Sequence, residues 1–222
     1  MKRYLFLLLF VLTFVVLLSV ESSPSATVGY FKKSIAINSW EAFSLPFNDT
    51  DMSIATKIGD QLDDQDMIID ITSNFGTTYY DGYGWYGDLD TIVPGGTYWI
   101  VRYEFNPNTD YFLMGTVNPD SVTVYIAANS WTSFALNEAQ NIAITSLPIT
   151  GVVDQDMIID VSTNFGTTYY DGYGWYGDLE YIEPTHVYWY VTTSPTDFSW
   201  TYVPGARRTF VRPSPSKSLN KK

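Results

Sequence analysis

The sequence has no cysteine and a single histidine, His186. Without thiols there is no disulfide framework, no thiol nucleophile and no Cys-ligated zinc or iron site. One imidazole leaves no room for a His-rich metal centre, and no cofactor is expected. Charge is sparse and lopsided, with 16% charged residues, 12 Lys and Arg against 24 Asp and Glu, and a formal net charge of -12. What the chain does have is apolar and aromatic: 45% hydrophobic, with 18 Tyr, 13 Phe and 7 Trp in 222 residues. That is too apolar for a disordered chain and enough to bury the core of one or two domains.

Lys2 and Arg3 precede an apolar run over 4–18, broken only by Thr13, and Ser19, Ser22 and Ser23 follow. This pattern predicts a secretory signal peptide over 1–23, cleaved after Ser22 or Ser23, and a protein that is secreted or held at the cell surface. The alternative is an uncleaved anchor, since the run is slightly short of the roughly 20 residues of a membrane helix. No later segment is apolar for long enough to span a bilayer. Asn48-Asp49-Thr50 is a glycosylation acceptor in a polar stretch expected to be a surface loop. Every acid except Glu21 lies between Pro24 and Pro204, where the basic residues are Lys32, Lys33, Lys57 and Arg102. Residues 205–222 hold six cations and no acid, among Pro and Ser, and read as a basic disordered tail. An acidic body repels phosphate backbones, so nucleic acid is not an expected partner.

Residues 64–90 and 154–180 align without a gap, and differ only at Ile71/Val161, Thr72/Ser162, Ser73/Thr163 and Asp90/Glu180. Asn38-Ser39-Trp40 recurs as Asn129-Ser130-Trp131, and Pro94 with Tyr98-Trp99 recurs as Pro184 with Tyr188-Trp189. The chain is therefore an internal duplication, with one β domain over 28–114 and a second over 115–204. Units of this size can fold by themselves, unlike short solenoid repeats.

Hydrophobic alternation within each unit is mostly of period two. Trp40, Ala42 and Ser44 fall on one side and Phe43 and Leu45 on the other, and 67–72, 77–81 and 97–103 are rich in β-branched and aromatic residues. Ile54, Ile58 and Leu62, spaced by four after Asp51, predict a short helix capped by that aspartate, with a weaker counterpart over 138–144. The fold class is all-β, with at most one short helix per unit: two tandem small antiparallel β sandwiches or barrels.

The longest identical run, 74–89 and 164–179, contains Tyr-Tyr-Asp-Gly-Tyr-Gly-Trp-Tyr-Gly-Asp-Leu. Its glycines permit positive φ, so a hairpin can turn between Tyr80 and Trp85. Trp85 and Trp175 are expected to serve the core. Asp81, Tyr83 and Asp88, with their copies Asp171, Tyr173 and Asp178, are the candidate ligand-binding residues, because carboxylates beside exposed rings suit sugar hydroxyls and sugar faces. A recent duplication explains the identity without function, but 46–62 and 137–152 have diverged almost beyond recognition.

The order Trp40, Phe43-Ser44-Leu45, Asp66-Met67-Ile68-Ile69, then 80–89, Ile92, Pro94-Gly95 and Tyr98-Trp99 resembles the tandem Gly-Trp-x-Gly-x-Leu and Pro-Gly-x-x-Tyr-Trp repeats of secreted bacterial and some protist proteins. The resemblance covers roughly 34–103 and 122–192. It implies an extracellular, surface-associated setting, with function generally unassigned and no catalytic residues to transfer. The chain departs from the pattern at Asp70 and Asp160, where lysine is expected, and at Pro184-Thr185-His186 in place of Pro-Gly.

Asp60, Asp63, Asp64 and Asp66 are a dense group of hard oxygen ligands, reduced to Asp154 and Asp156 in the second unit. Their spacing lacks the alternating ligands, central Gly and distal Glu of an EF-hand, so they read as solvated loop acids and no metal is expected. A Ser-His-Asp triad would have to use His186, which aligns with Gly96, leaving one unit inactive. The expectation is a secreted, non-enzymatic binding, adhesion or matrix protein whose partner is a polysaccharide or a cell-surface or matrix polymer. The alternatives are a glycan-binding lectin that uses the aromatic hairpins, and a secreted glycan-active hydrolase.

Overall fold

The structure is a computed structural model that describes residues 28–204 apart from 73, 74, 104–106, 108, 119 and 164, and apart from the side chain of Asp60. The expected signal peptide and basic tail lie outside the described residues. The described chain is nearly all β. In the first unit the strands are β1 (Val28–Ile35), β2 (Trp40–Ser44), β3 (Phe47–Asn48), β4 (Met67–Asp70), β5 (Thr77–Tyr80), β6 (Trp85–Gly87), β7 (Thr97–Val101) and β8 (Thr109–Val117). In the second they are β9 (Val122–Ile126), β10 (Trp131–Phe134), β11 (Ile142–Ala143), β12 (Met157–Asp160), β13 (Thr167–Tyr170), β14 (Trp175–Gly177), β15 (Tyr181–Ile182), β16 (Tyr188–Val191) and β17 (Phe198–Tyr202).

Each unit is built on an antiparallel five-stranded sheet of the same order, β2-β7-β4-β5-β6 and β10-β16-β12-β13-β14. Its inner face packs on a smaller sheet, β1-β8-β3 in the first unit and β17-β9 in the second. Phe43, Ile68, Tyr98 and Ile100 meet Ile35, Phe47, Tyr111 and Leu113 across the first core. Phe134, Ile158, Tyr188 and Tyr190 meet Val124, Ile126, Trp200 and Tyr202 across the second. Trp85 and Trp175 are half-buried against these cores. Strand β8 runs past the boundary set after Met114, since Gly115 and Thr116 pair with Gly29 and Val28 of the first unit.

The helix α1 (Ile54–Lys57), followed by a 3₁₀ turn at Gly59–Gln61, places Ile54, Ile58 and Leu62 in the first core. Its cap is Ser53, whose Oγ accepts the Thr56 N–H at 3.3 Å; Asp51 instead braces the cap from outside by accepting the Ser53 N–H at 2.9 Å. The counterpart helix over 138–144 does not form. Ile142 and Ala143 pair with Ile182 and Tyr181, and only Ile144–Ser146 coils, as 3₁₀. Ile142 and Ile144 are two residues apart, a strand's period, and pairing with β15 uses it.

The units also pack on each other. Ala42, Ile71, Val161 and Val187 form a small buried cluster, flanked by Ile69, Trp99 and Trp189. Hydrogen bonds cross this seam from Ser44 N–H to the Thr185 carbonyl (2.8 Å), from Ser133 Oγ to the Ile71 carbonyl (2.8 Å) and from Ser162 Oγ to the Ala42 carbonyl (2.9 Å). Buried backbone carbonyls so satisfied avoid the desolvation cost of orphaned polar groups.

Candidate functional site

The identical block folds in both units into the same hairpin, β5 to β6 and β13 to β14. Asp81 Oδ1 accepts the N–H groups of Tyr83 (2.9 Å) and Gly84 (3.0 Å), and Asp171 does the same for Tyr173 and Gly174 at 2.9 and 3.0 Å. Such side-chain turns stiffen a tight bend, which Gly82 and Gly172 enter at φ of 85° and 87°. Asp88 Oδ1 accepts the Thr77 N–H at 2.7 Å, and Asp178 accepts that of Thr167 at 2.7 Å, locking the far end of each hairpin. At the tips Tyr83 and Tyr173 project into solvent, 94% and 93% exposed. The four carboxylates therefore shape the hairpins that present the two rings. Asn48 is exposed at the end of β3, where its Oδ1 accepts the Asp49 N–H.

The outer faces of the five-stranded sheets carry aromatic residues that the hairpin motif does not point to. Register places Trp40, Val101, Met67, Tyr79 and Tyr86 in one row across the first sheet. Trp131, Val191, Met157, Tyr169 and Tyr176 form the same row in the second. Trp40 and Trp131 are 61% and 60% exposed, and all four tyrosines are exposed. One step along each sheet, Trp99 and Trp189 sit half-buried at the seam. Ring centroids lie 5.5 Å apart for Trp40 and Trp99, 6.5 Å for Trp99 and Trp189, and 5.6 Å for Trp189 and Trp131. Successive planes cross at 73°, 76° and 72°, an edge-to-face chain of four indoles that passes from one unit to the other. The signal in the sequence was the alternation that sets Trp40 and Ala42 opposite Phe43; what it could not give was the seam that joins two such faces.

The acidic cluster is only partly a set of exposed loop acids: Asp63, Asp64 and Asp154 are exposed, whereas Asp66 and Asp156 are buried. Asp66 is fully buried and holds Arg102 Nη1 at 2.5 Å, and Asp63 takes Nη2 at 2.5 Å. Arg102 Nε also donates to the Pro107 carbonyl at 2.8 Å.

His186 Nδ1 lies 3.0 Å from Asp160 Oδ2, and its Nε2 stands 4.0 Å from Glu183 rather than beside a serine hydroxyl. Burial is the largest influence on the Asp160 carboxyl and raises it. The hydrogen bond and charge of His186, the Ser162 N–H and the Thr163 hydroxyl together outweigh it, and the group lies below the ordinary carboxylate range. Asp160 borders a polar cleft of about 370 Å³ that Asp178, Glu180 and Glu183 also line. Burial pushes the phenol of Tyr98 up to about 12, although the Val93 N–H bonded to its oxygen opposes the shift. Its copy Tyr188 is raised by burial in the same way. These phenols stay neutral and serve the two cores.

A scan against protein-family models, a search of curated proteins and a search of solved structures each returned no match.

Proposed function

We propose that this is an extracellular, non-enzymatic binding protein whose two units grip a repetitive polymer at a cell surface or in a matrix. The observation that carries this reading is the pair of identical hairpins, each stiffened by an aspartate turn and each ending in a tyrosine that has no packing role. A protein that only needed a turn there would gain nothing from a large ring held in water. Two weak contacts on one chain reinforce each other, because the second is made at high effective concentration, with a gain of about 10² to 10⁴. His186, with its Nδ1 on Asp160 and its Nε2 facing Glu183, gives no support to a hydrolase reading.

The test measures binding of the full chain to immobilised polysaccharides and to cell-wall preparations. Tyr83→Ala or Tyr173→Ala alone is expected to weaken retention by at least tenfold, and the double variant to abolish it. Equal binding by the parent and the double variant overturns the reading.

A further inference from the structure

We infer that Trp40, Trp99, Trp189 and Trp131 form one continuous platform shared by both units, and that its ligand is a polysaccharide chain without negative charge; this rests on the binding reading above. The two inner indoles are fixed by the seam, where Val161 and Val187 of one unit close on Ala42 and Ile71 of the other. Each outer indole touches its inner neighbour edge to face. Both outer indoles nevertheless remain largely exposed, Trp40 at 61% and Trp131 at 60%. The fold leaves such a ring out of its cores twice, at equivalent positions, on the side facing away from both cores.

The charges select the ligand. All four basic residues between 28 and 204 are in ion pairs: Lys32 with Asp110, Lys33 with Glu41, Lys57 with Asp49, and Arg102 with Asp63 and Asp66. Among the described residues every Lys and Arg is in an ion pair, and acids far outnumber bases. The described body, with its excess of acids, therefore disfavours polyanions and anionic membranes at this face, and the six cations of 205–222 lie outside the described residues. A neutral sugar chain offers the complement: apolar C–H faces repeating at about the size of a ring, which stack on indoles, with hydroxyls at the edges for the neighbouring tyrosine phenols. Four rings linked one to the next, with neighbouring centroids 5.5, 6.5 and 5.6 Å apart, suit an extended chain better than a globular partner.

The test is affinity electrophoresis of the full chain through gels containing hydroxyethyl cellulose, galactomannan or polygalacturonate, with intrinsic fluorescence read in parallel. Circular dichroism confirms that each variant is folded. The expected result is retardation by a neutral polymer and none by polygalacturonate. Trp40→Ala and Trp131→Ala should each weaken binding at least tenfold, and together should abolish it. Full retardation of the double tryptophan variant alongside loss in Tyr83→Ala/Tyr173→Ala overturns the platform while leaving the binding reading intact. Retardation by polygalacturonate, or by none of the three, overturns the ligand class. If sedimentation instead shows a dimer that dissolves on Trp40→Ala/Trp131→Ala, the face is occupied by a second copy and the inference is wrong. Retention of neither polysaccharides nor cell-wall preparations by the parent chain overturns the binding reading as well.

Discussion

Asp66 and Asp156 occupy equivalent buried positions, and the chain satisfies them differently. Asp66 meets a buried guanidinium and accepts the Asp63 and Tyr103 N–H groups at 2.9 Å. Asp156 has no cation: it accepts from Tyr190 OH (2.8 Å), Thr192 Oγ1 (2.6 Å) and Val153 N–H (3.0 Å). Ile100 and Arg102 stand where the second unit has Tyr190 and Thr192, so hydroxyls replaced a charge. Removing one partner of a buried ion pair strands the other and costs about 3–5 kcal/mol, whereas a lost neutral hydrogen bond at a buried acceptor costs about 1–3. Arg102→Met is therefore expected to destabilise by about 3–5 kcal/mol in urea unfolding, and Thr192→Val by about 1–3. Adding Asp66→Asn to Arg102→Met should recover part of the loss, because the stranded charge goes with it. Full additivity would show that the pair does not couple. None of this could be read from the sequence. Asp63 and Asp66 lie in an acid-rich stretch that composition assigns to solvent, and their cation is more than thirty residues away along the chain.

At the scale of elements, strands were the legible part. Period-two alternation marked β2 and set Trp40 opposite Phe43, because an antiparallel sheet with one buried face imposes that alternation, while enrichment in β-branched and aromatic residues marked β4, β5 and β7. The helix at Ile54 was also legible, but its cap was not: Asp51 and Ser53 both satisfy the residue preference, and only the backbone decides which oxygen reaches Thr56. The aspartates of the hairpin were visible as candidates, but the backbone N–H groups that Oδ1 of each accepts were not, because the turn that aims them forms only in the folded chain. Gly87 and Gly177 close the hairpins at φ of 152° and 154°. A Cβ on Gly87 would stand 2.1 Å from the Thr77 carbonyl oxygen and 2.8 Å from Thr78 Cα, both backbone, so no side chain can yield. Gly87→Ala is expected to cost about 1–3 kcal/mol for conformation alone, and more for the contact. Gly84→Ala is the control. Its Cβ would meet Tyr86 at 3.6 Å, an ordinary contact, and stability should change by less than about 0.5 kcal/mol. Equal losses in thermal unfolding would mean that Gly87 is not placed as described.

For the whole molecule, duplication was evident from the sequence and the seam was not. The residues that make it are small or neutral, and their contacts join positions as distant as Ala42 and Ser162. Ser133 and Ser162 look like ordinary strand and turn residues until a second unit supplies the carbonyls they bond. The seam has an optical consequence. Indoles in contact at steep angles exchange excitation through their transition dipoles, and the coupled rings produce a paired positive and negative band in the far-ultraviolet circular dichroism. Four of the 7 tryptophans are linked in this way, so the junction between the units writes its own spectrum. Trp99→Phe, which breaks two links, should diminish the paired band more than Trp40→Phe, which breaks one. Because the inner pair comes from different units, separating them should extinguish that part of the signal before either sheet melts. A loss merely proportional to the number of indoles removed would mean that the four rings do not touch in solution.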